Sequence, residues 1–168
     1  MYLPEYTIRL VEPKDEAKLQ SPFQSDPGYF EMVQGAPPGP AEAQSLVTAL
    51  PEAKDYGDKF VYGVFDSHGA LVAAIDLIRD YPEKSVWFLG LLFVAPWRRN
   101  IGLGRRILDA ICAHVKRQGG RALRLGVVRG NVRARALYER LEFRFVYDRE
   151  RSQSNGSADK IDVLERTL

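Results

Sequence analysis

The sequence predicts an α+β fold in three layers: a mixed, mostly antiparallel twisted sheet of about seven strands flanked by about four helices. Three observations lead there. Short runs rich in β-branched and aromatic residues follow one another between residues 59 and 94, joined by turn residues, as in an antiparallel meander. After Pro96 the apolar spacing becomes helical, through Leu103, Ile107, Ile111 and Val115, the stripe of an amphipathic helix. A further strand follows that helix, which makes one βαβ crossover. The length of 168 residues fits a single domain over residues 1–168, and no internal repeat is apparent.

In order along the chain, residues 7–11 alternate Ile8 and Leu10 with polar neighbours and read as a short strand. Residues 13–20 open with a proline and acidic side chains, the start of one or two helical turns. Residues 21–40 are rich in Pro, Gly and Ser and end in GAPPGP; they read as loop with a short helix over 29–34. Residues 41–50 suit a helix stopped near Pro51. Residues 59–65 and 71–78 form a hairpin about the turn Asp66-Ser67-His68-Gly69. Residues 86–94 are apolar on both faces, as a covered central strand requires. The helix at 102–118 is closed by Gly119 and Gly120, and residues 122–128 form the next strand. Asn131 is a good N-cap for a helix reaching residue 141. The last strands are 143–147 and 161–164, separated by a polar loop over 149–159.

Composition narrows the function classes. With 45% hydrophobic and 27% charged residues a packed core is feasible, and wholesale disorder is disfavoured. The single cysteine, Cys112, allows no intramolecular disulfide and fits a cytoplasmic location. The N-terminal segment carries Glu5, Arg9 and Glu12 and lacks the apolar region of a signal peptide. The longest apolar stretch, 86–94, is about half of what a membrane helix needs, so no membrane partner is expected. The net charge of +2 conceals an asymmetry: residues 1–96 hold 7 basic against 14 acidic side chains, and residues 97–151 hold 15 against 5. Such a split suits one half facing an anionic ligand and the other a neutral or cationic one, although solvated surface charge gives the same pattern.

The most informative stretch is LLFVAPWRRNIGLGRRIL. A strand ends at Val94, a proline turn follows, and Arg98, Arg99, Gly102 and Gly104 open a helix. The first amides of a helix have no intrahelical acceptor, and the helix dipole adds positive charge there. Glycines let that backbone approach a ligand closely, so successive N–H groups can bind a pyrophosphate. Other nucleotide-site patterns fit poorly: a dinucleotide fingerprint needs a third glycine where Ile107 stands, and the lysine of a P-loop is missing.

These residues resemble the GNAT superfamily of N-acetyltransferases. The acetyl-CoA signature of that family, Q/R-x-x-G-x-G/A, is matched by Arg99, Asn100, Ile101, Gly102, Leu103 and Gly104. A second signature, N-x-x-A-x-x-L-Y followed by G-F, is matched from Asn131 through Ala134, Leu137 and Tyr138 to Phe143. One departure is Glu142, where the family has glycine; at a helix end this predicts an altered turn, with strain if φ stays positive. The motifs cover residues 92–143, while the order of elements agrees over nearly the whole chain.

The resemblance implies acetyl-CoA as cosubstrate and a set of roles. Backbone amides of Asn100, Ile101, Gly102, Leu103, Gly104 and Arg105, beside Arg99, hold the pyrophosphate. Leu92, Phe93 and Val94 pair with the pantetheine arm like an added strand. A bulge within residues 90–92 splits this strand from residues 125–128, and the Leu92 N–H serves as an oxyanion donor. Asn131 contacts the cofactor arm, and Tyr138 is the general acid for the departing thiolate. Plainer roles remain open beside these: an N-cap for Asn131 and a core aromatic for Tyr138.

The general base is less evident, because strand 86–94 contains no acidic residue. Relatives that acetylate protein N-termini carry a glutamate at a position matched here by Gly126, which counts against a protein acceptor. The best candidate is Asp76, an isolated carboxylate in LVAAIDLI, where desolvation would raise its pKa toward that of a working base. Asp80, Tyr81, Glu83, Tyr29 and Glu31 are further candidates to line an acceptor pocket. His68 and His114 are too far apart to form a metal pair, Cys112 reads as core, and no metal is expected. The basic half then suits the phosphates of CoA and the acidic half a cationic small-molecule amine. Competing readings are a non-catalytic acyl-CoA-binding regulatory domain, a protein N-terminal or lysine acetyltransferase, and a nucleic-acid-binding module. The last would need its arginines on one surface, whereas they are spread over two helices and a strand. Free strand edges are compatible with a homodimer.

Overall fold

The structure is a computed structural model and describes residues 1–152 and 158–168. Seven strands form one sheet: β1 (Thr7–Leu10), β2 (Lys59–Phe65), β3 (Leu71–Ile78), β4 (Val86–Val94), β5 (Ala122–Val128), β6 (Arg144–Ser152) and β7 (Ala158–Thr167). Their spatial order is β1-β2-β3-β4-β5-β7-β6. Every neighbouring pair is antiparallel except β4 and β5, which the crossover makes parallel. Five α-helices flank the sheet: α1 (Glu16–Gln24), α2 (Pro27–Gln34), α3 (Glu42–Thr48), α4 (Leu103–Arg117) and α5 (Val132–Arg140).

The two faces carry separate cores. Helix α4 lays Leu103, Ile107, Leu108, Ile111 and Val115 against Ile75, Leu77, Trp87, Leu89, Leu123 and Leu125. All of these are buried, each contributing on the order of 1.5–3 kcal/mol relative to exposure. On the other face Leu19, Phe23, Phe30 and Ala43, from α1–α3, pack on Phe65, Ala74 and Phe93. Cys112 is buried, as the sequence predicts for a core thiol. Among the described residues no helix is long and apolar enough to cross a membrane.

Two sequence expectations are corrected. The segment 21–40 is mostly helical: α1 runs on to Gln24 through Pro22, and α2 begins at Pro27 in the first helical position. Burial of Leu19, Phe23 and Phe30 outweighs the local breaker signal, while the short helix expected over 29–34 is present as part of α2. The polar stretch expected as a loop over 149–159 is largely strand, since β6 reaches Ser152 and β7 starts at Ala158. Cross-strand pairs such as Arg149 with Ile161 and Glu150 with Lys160 extend the ladder through residues whose composition reads as turn. The centre of that expected loop, 153–157, lies outside the described residues.

Helix ends supply a controlled comparison. Helix α4 closes with Gly119 at φ 82°, Gly119 N–H bonding Lys116 O at 3.0 Å and Gly120 N–H bonding Val115 O at 2.9 Å. Helix α5 closes by the same pair of bonds, Glu142 to Glu139 at 3.1 Å and Phe143 to Tyr138 at 3.0 Å. Its left-handed residue, however, is Glu142, at φ 65°. The glycine-type turn is therefore formed with a non-glycine residue in the left-handed position, where it is strained. Glu142 is exposed and its carboxylate sits 3.6 Å from Arg166, a surface contact of little worth. Glu142→Gly is expected to stabilise the fold by about 0.5–1 kcal/mol, the left-handed penalty less the extra entropy of an unfolded glycine. In a chain of this size that raises the thermal midpoint by roughly 1–4 °C in a melting experiment. A lowered midpoint would show that the Arg166 contact outweighs the strain.

Candidate active site

The site begins with a fault in β4. Asp76 pairs with Leu91 and Leu77 pairs with Leu89, so Gly90 is an extra residue, a β-bulge at the position the sequence anticipates. The bulge inverts the alternation of side chains. Before it, Trp87 and Leu89 face α4; after it, Leu91, Phe93 and Ala95 face the core beneath α1–α3. Parallel pairing of β4 with β5 stops at Leu89 and Leu125, and beyond that point the strands separate. Ala95 N–H bonds Val72 O at 2.9 Å. By the alternation of an antiparallel ladder, the backbone groups of Leu92 and Val94 then point away from β3 into this gap. The cleft consequently has a strand edge along one wall, with the Leu92 N–H and C=O and the Val94 N–H facing it, while the Val94 carbonyl is taken by Arg99.

At the end of that edge the chain turns through residues 96–102 into α4. Asn100 (φ 64°) and Gly102 (φ 76°) are both left-handed, alternating with ordinary residues. This backbone pattern gathers N–H groups into an anion-binding concavity. The first helical bond runs from Arg106 N–H to Gly102 O at 3.2 Å, so the amides of Leu103, Gly104 and Arg105 precede it and point out of the helix. A β-carbon on Gly104 would meet only Val94 Cγ2, at 3.8 Å. The protein's own packing therefore does not require glycine there, whereas close approach of a phosphate does.

The neighbouring arginines do more structural work than their charge suggests. Arg99 donates from Nε to Val94 O at 2.8 Å, pairs with Asp26 at the start of α2, and lies over the rings of Tyr29 and Phe93. Arg98 pairs with Asp66 at 2.8 Å. Arg133, on α5, donates to the Asn100 side chain. The acidic and basic halves thus neutralise one another in part, and the loop is braced from α2, the β2–β3 turn and α5.

Asn131 is the N-cap of α5, accepting from Ala134 N–H at 3.0 Å. The helix that follows brings Tyr138 beside Phe143, with ring centroids 5.7 Å apart. Tyr138 is partly buried, and burial pushes its phenol up to about 12. Tyr29 is raised in the same direction, by burial and by the nearby Tyr138.

Asp76 lies below the bulge. Alternation along β3 sets it on the face beneath α1–α3, and its Oδ1 accepts from Lys59 Nζ at 2.8 Å. A β-carbon on Gly90 would stand 2.6 Å from Asp76 Oδ2, so the carboxylate occupies the space left by the missing side chain. Burial raises the Asp76 pKa, opposed by the hydrogen bond and charge of Lys59. Sequence reasoning misses Lys59 as a site residue; the hairpin register, which pairs Val61 with Asp76, is the signal that could find it.

Other sequence candidates fall elsewhere. Asp80 caps its own turn, accepting from Ser85 N–H at 2.6 Å, and Glu83 pairs with Arg121 and Arg124. Tyr81 packs on Phe88, and Glu31 is exposed. His68 is in the β2–β3 turn, while the His114 ring meets Tyr62 and Trp87 across α4, so the structure does not bring the two together.

The sequence profile of the "Acetyltransferase (GNAT) family" matches residues 27–143. No curated protein matches by sequence. Among solved structures, an acetyltransferase from Thermus thermophilus superposes over 100% of both chains, with 24% identity and a TM-score of 0.77. Spermidine N-acetyltransferase from Vibrio cholerae, solved with CoA and spermine, covers 97% of this chain and 95% of its own, at 16% identity and a TM-score of 0.77. The ribosomal-protein-S18-alanine N-acetyltransferase from Escherichia coli covers 97% and 94%, at 18% identity and a TM-score of 0.71. These identities establish a shared fold, while the family match spans the anion loop, the bulged strand and both sequence signatures. On that ground the chain belongs to the GNAT acetyltransferase family.

Proposed function

We propose that the whole chain acts as one N-acetyltransferase domain, moving an acetyl group from acetyl-CoA to a primary amine of a small molecule by direct attack in a ternary complex. The observation that carries this is the bulge at Gly90, which opens a free strand edge running directly into the anion-binding loop. Residues of this chain fit each part of acetyl-CoA. Amides of residues 100–105 would hold the pyrophosphate, Leu92 and Val94 would pair with the pantetheine arm, and Asn131 would stand beside it. The Leu92 N–H, which the alternation turns into the gap, would donate to the thioester oxygen as it becomes anionic.

The amine nitrogen attacks the thioester carbon, its proton passes to Asp76 directly or through a water, and the C–S electron pair leaves with sulfur. The phenol of Tyr138, protonated near neutrality already at its ordinary value, would donate to that thiolate. The acceptor is read as a small amine because the glutamate of N-terminal acetylating relatives is missing at Gly126. A β-carbon there would lie 2.8 Å from Ile161 Cγ2, which counts against that base here. A cytoplasmic location accords with these substrates. The test is thiol release from acetyl-CoA by purified protein with a panel of amines. Binding of acetyl-CoA without thiol release for any amine would favour a regulatory acyl-CoA-binding domain instead.

Tyr138→Phe separates the acid role from packing. A hydrogen bond to a charged group contributes about 1.5–3 kcal/mol, so kcat should fall roughly 10- to 100-fold. The ring contact with Phe143 survives, and affinity for acetyl-CoA should change little. A kcat within twofold of wild type would assign Tyr138 to packing alone.

A further inference from the structure

The pair formed by Lys59 and Asp76 is sealed from solvent on the Lys59 side and open over one glycine. The side chains are 3% and 12% exposed. Lys59 Nζ holds Oδ1, and Oδ2 projects into the volume that a side chain at Gly90 would fill, while Gly90 itself is exposed. The carboxylate therefore communicates with the cleft only across a stretch of backbone without a β-carbon. A buried ion pair is a weak stabiliser, often replaceable by apolar side chains at no loss, so stability alone does not account for one at this point of the sheet. The residues facing Asp76 from β2 and β4, Val61, Gly90 and Leu91, are uncharged, and the core on that face is apolar. Among the described residues Lys59 is the charged group acting on Asp76.

We infer that Lys59 is a positioning residue for acetyl transfer: it grips Oδ1, so that Oδ2 alone faces the gap over Gly90, and keeps the carboxylate ionised where the attacking amine loses its proton. This rests on the acetyl-transfer reading above. The proton moves from the amine nitrogen to Oδ2 as the C–N bond forms, then leaves Oδ2 for solvent over Gly90. The C–S bond breaks with its electron pair on sulfur, so that the products are amide and thiol. Without Lys59 the carboxyl would stay protonated to higher pH and could accept the amine proton only above that range. With arginine the positive charge is kept.

The experiment is the pH profile of kcat/KM for wild type, Lys59→Arg, Lys59→Met and Gly90→Ala, with acetyl-CoA binding measured on each by calorimetry. Lys59→Met should move the acidic limb upward by about one pH unit or more, and Lys59→Arg should return it toward wild type. Gly90→Ala should lower kcat about tenfold or more with binding retained, because the new methyl displaces Oδ2. A Lys59→Met enzyme that melts earlier but keeps the wild-type limb would make the pair purely structural and overturn the inference. If Lys59→Met fails to fold, Gly90→Ala decides, and wild-type kcat there overturns it. Wild-type protein that binds acetyl-CoA but acylates no amine overturns the acetyl-transfer reading and this role together. An active enzyme with an unmoved limb overturns the role of Lys59 alone.

Discussion

Gly104→Val is expected to weaken acetyl-CoA binding by about 100-fold or more while leaving the fold intact. On the proposed reading the affinity of this loop would come from the amides of Leu103, Gly104 and Arg105, which have no helical carbonyl to donate to and would face the pyrophosphate. Each charge-assisted hydrogen bond is worth about 1.5–3 kcal/mol, and the loss of two accounts for two orders of magnitude or more. The site accepts a β-carbon, whose first contact, Val94 Cγ2, is at an ordinary 3.8 Å. Helix propensity also improves slightly from glycine to valine. Calorimetric titration with CoA beside a thermal melt distinguishes the outcomes. Undiminished affinity would mean that the phosphates bind elsewhere, and the reading of the loop would be lost.

The second large effect is expected at Asp76. Asp76→Asn should lower kcat about 10²- to 10⁴-fold, the usual range for removing a general base, without altering acetyl-CoA affinity. The asparagine oxygen can still accept from Lys59, so the cation is not left without a partner, and the variant should fold with a lowered melting midpoint. Direction in pH follows from the burial that raises the Asp76 pKa. Below that pKa the carboxyl is protonated and cannot take a proton, so wild-type kcat/KM should fall on its acidic side, and this limb should vanish in Asp76→Asn. A variant with kcat within threefold of wild type would transfer the role of base to water.

Local signals are reliable where neighbours along the chain decide the structure. The bounds of β2, β3, β4 and β5 agree with their apolar runs, and the α4 stripe, the Asn131 cap and the glycine ending of α4 lie where expected. The bulge is legible only through the family resemblance, since the contact at it, a carboxylate from β3 filling the space over Gly90, crosses between strands. Failures come where distant burial overrides composition. Phe23 and Phe30 make helices out of a segment rich in proline and glycine, and the neighbouring β5 edge recruits the charged residues of β7 and then β6 into strand.

By itself the sequence determined a mixed sheet with one crossover, a glycine loop suited to an anion and an isolated carboxylate in an apolar strand. Each of these follows from spacing and residue type within a single segment. Only the tertiary structure decided which lysine meets that carboxylate, that Arg99 braces α2 through Asp26, and that Gly90 opens the sheet beside Asp76. Such pairings depend on register and on which face a side chain takes, quantities that one extra residue in a strand inverts and that no local pattern encodes.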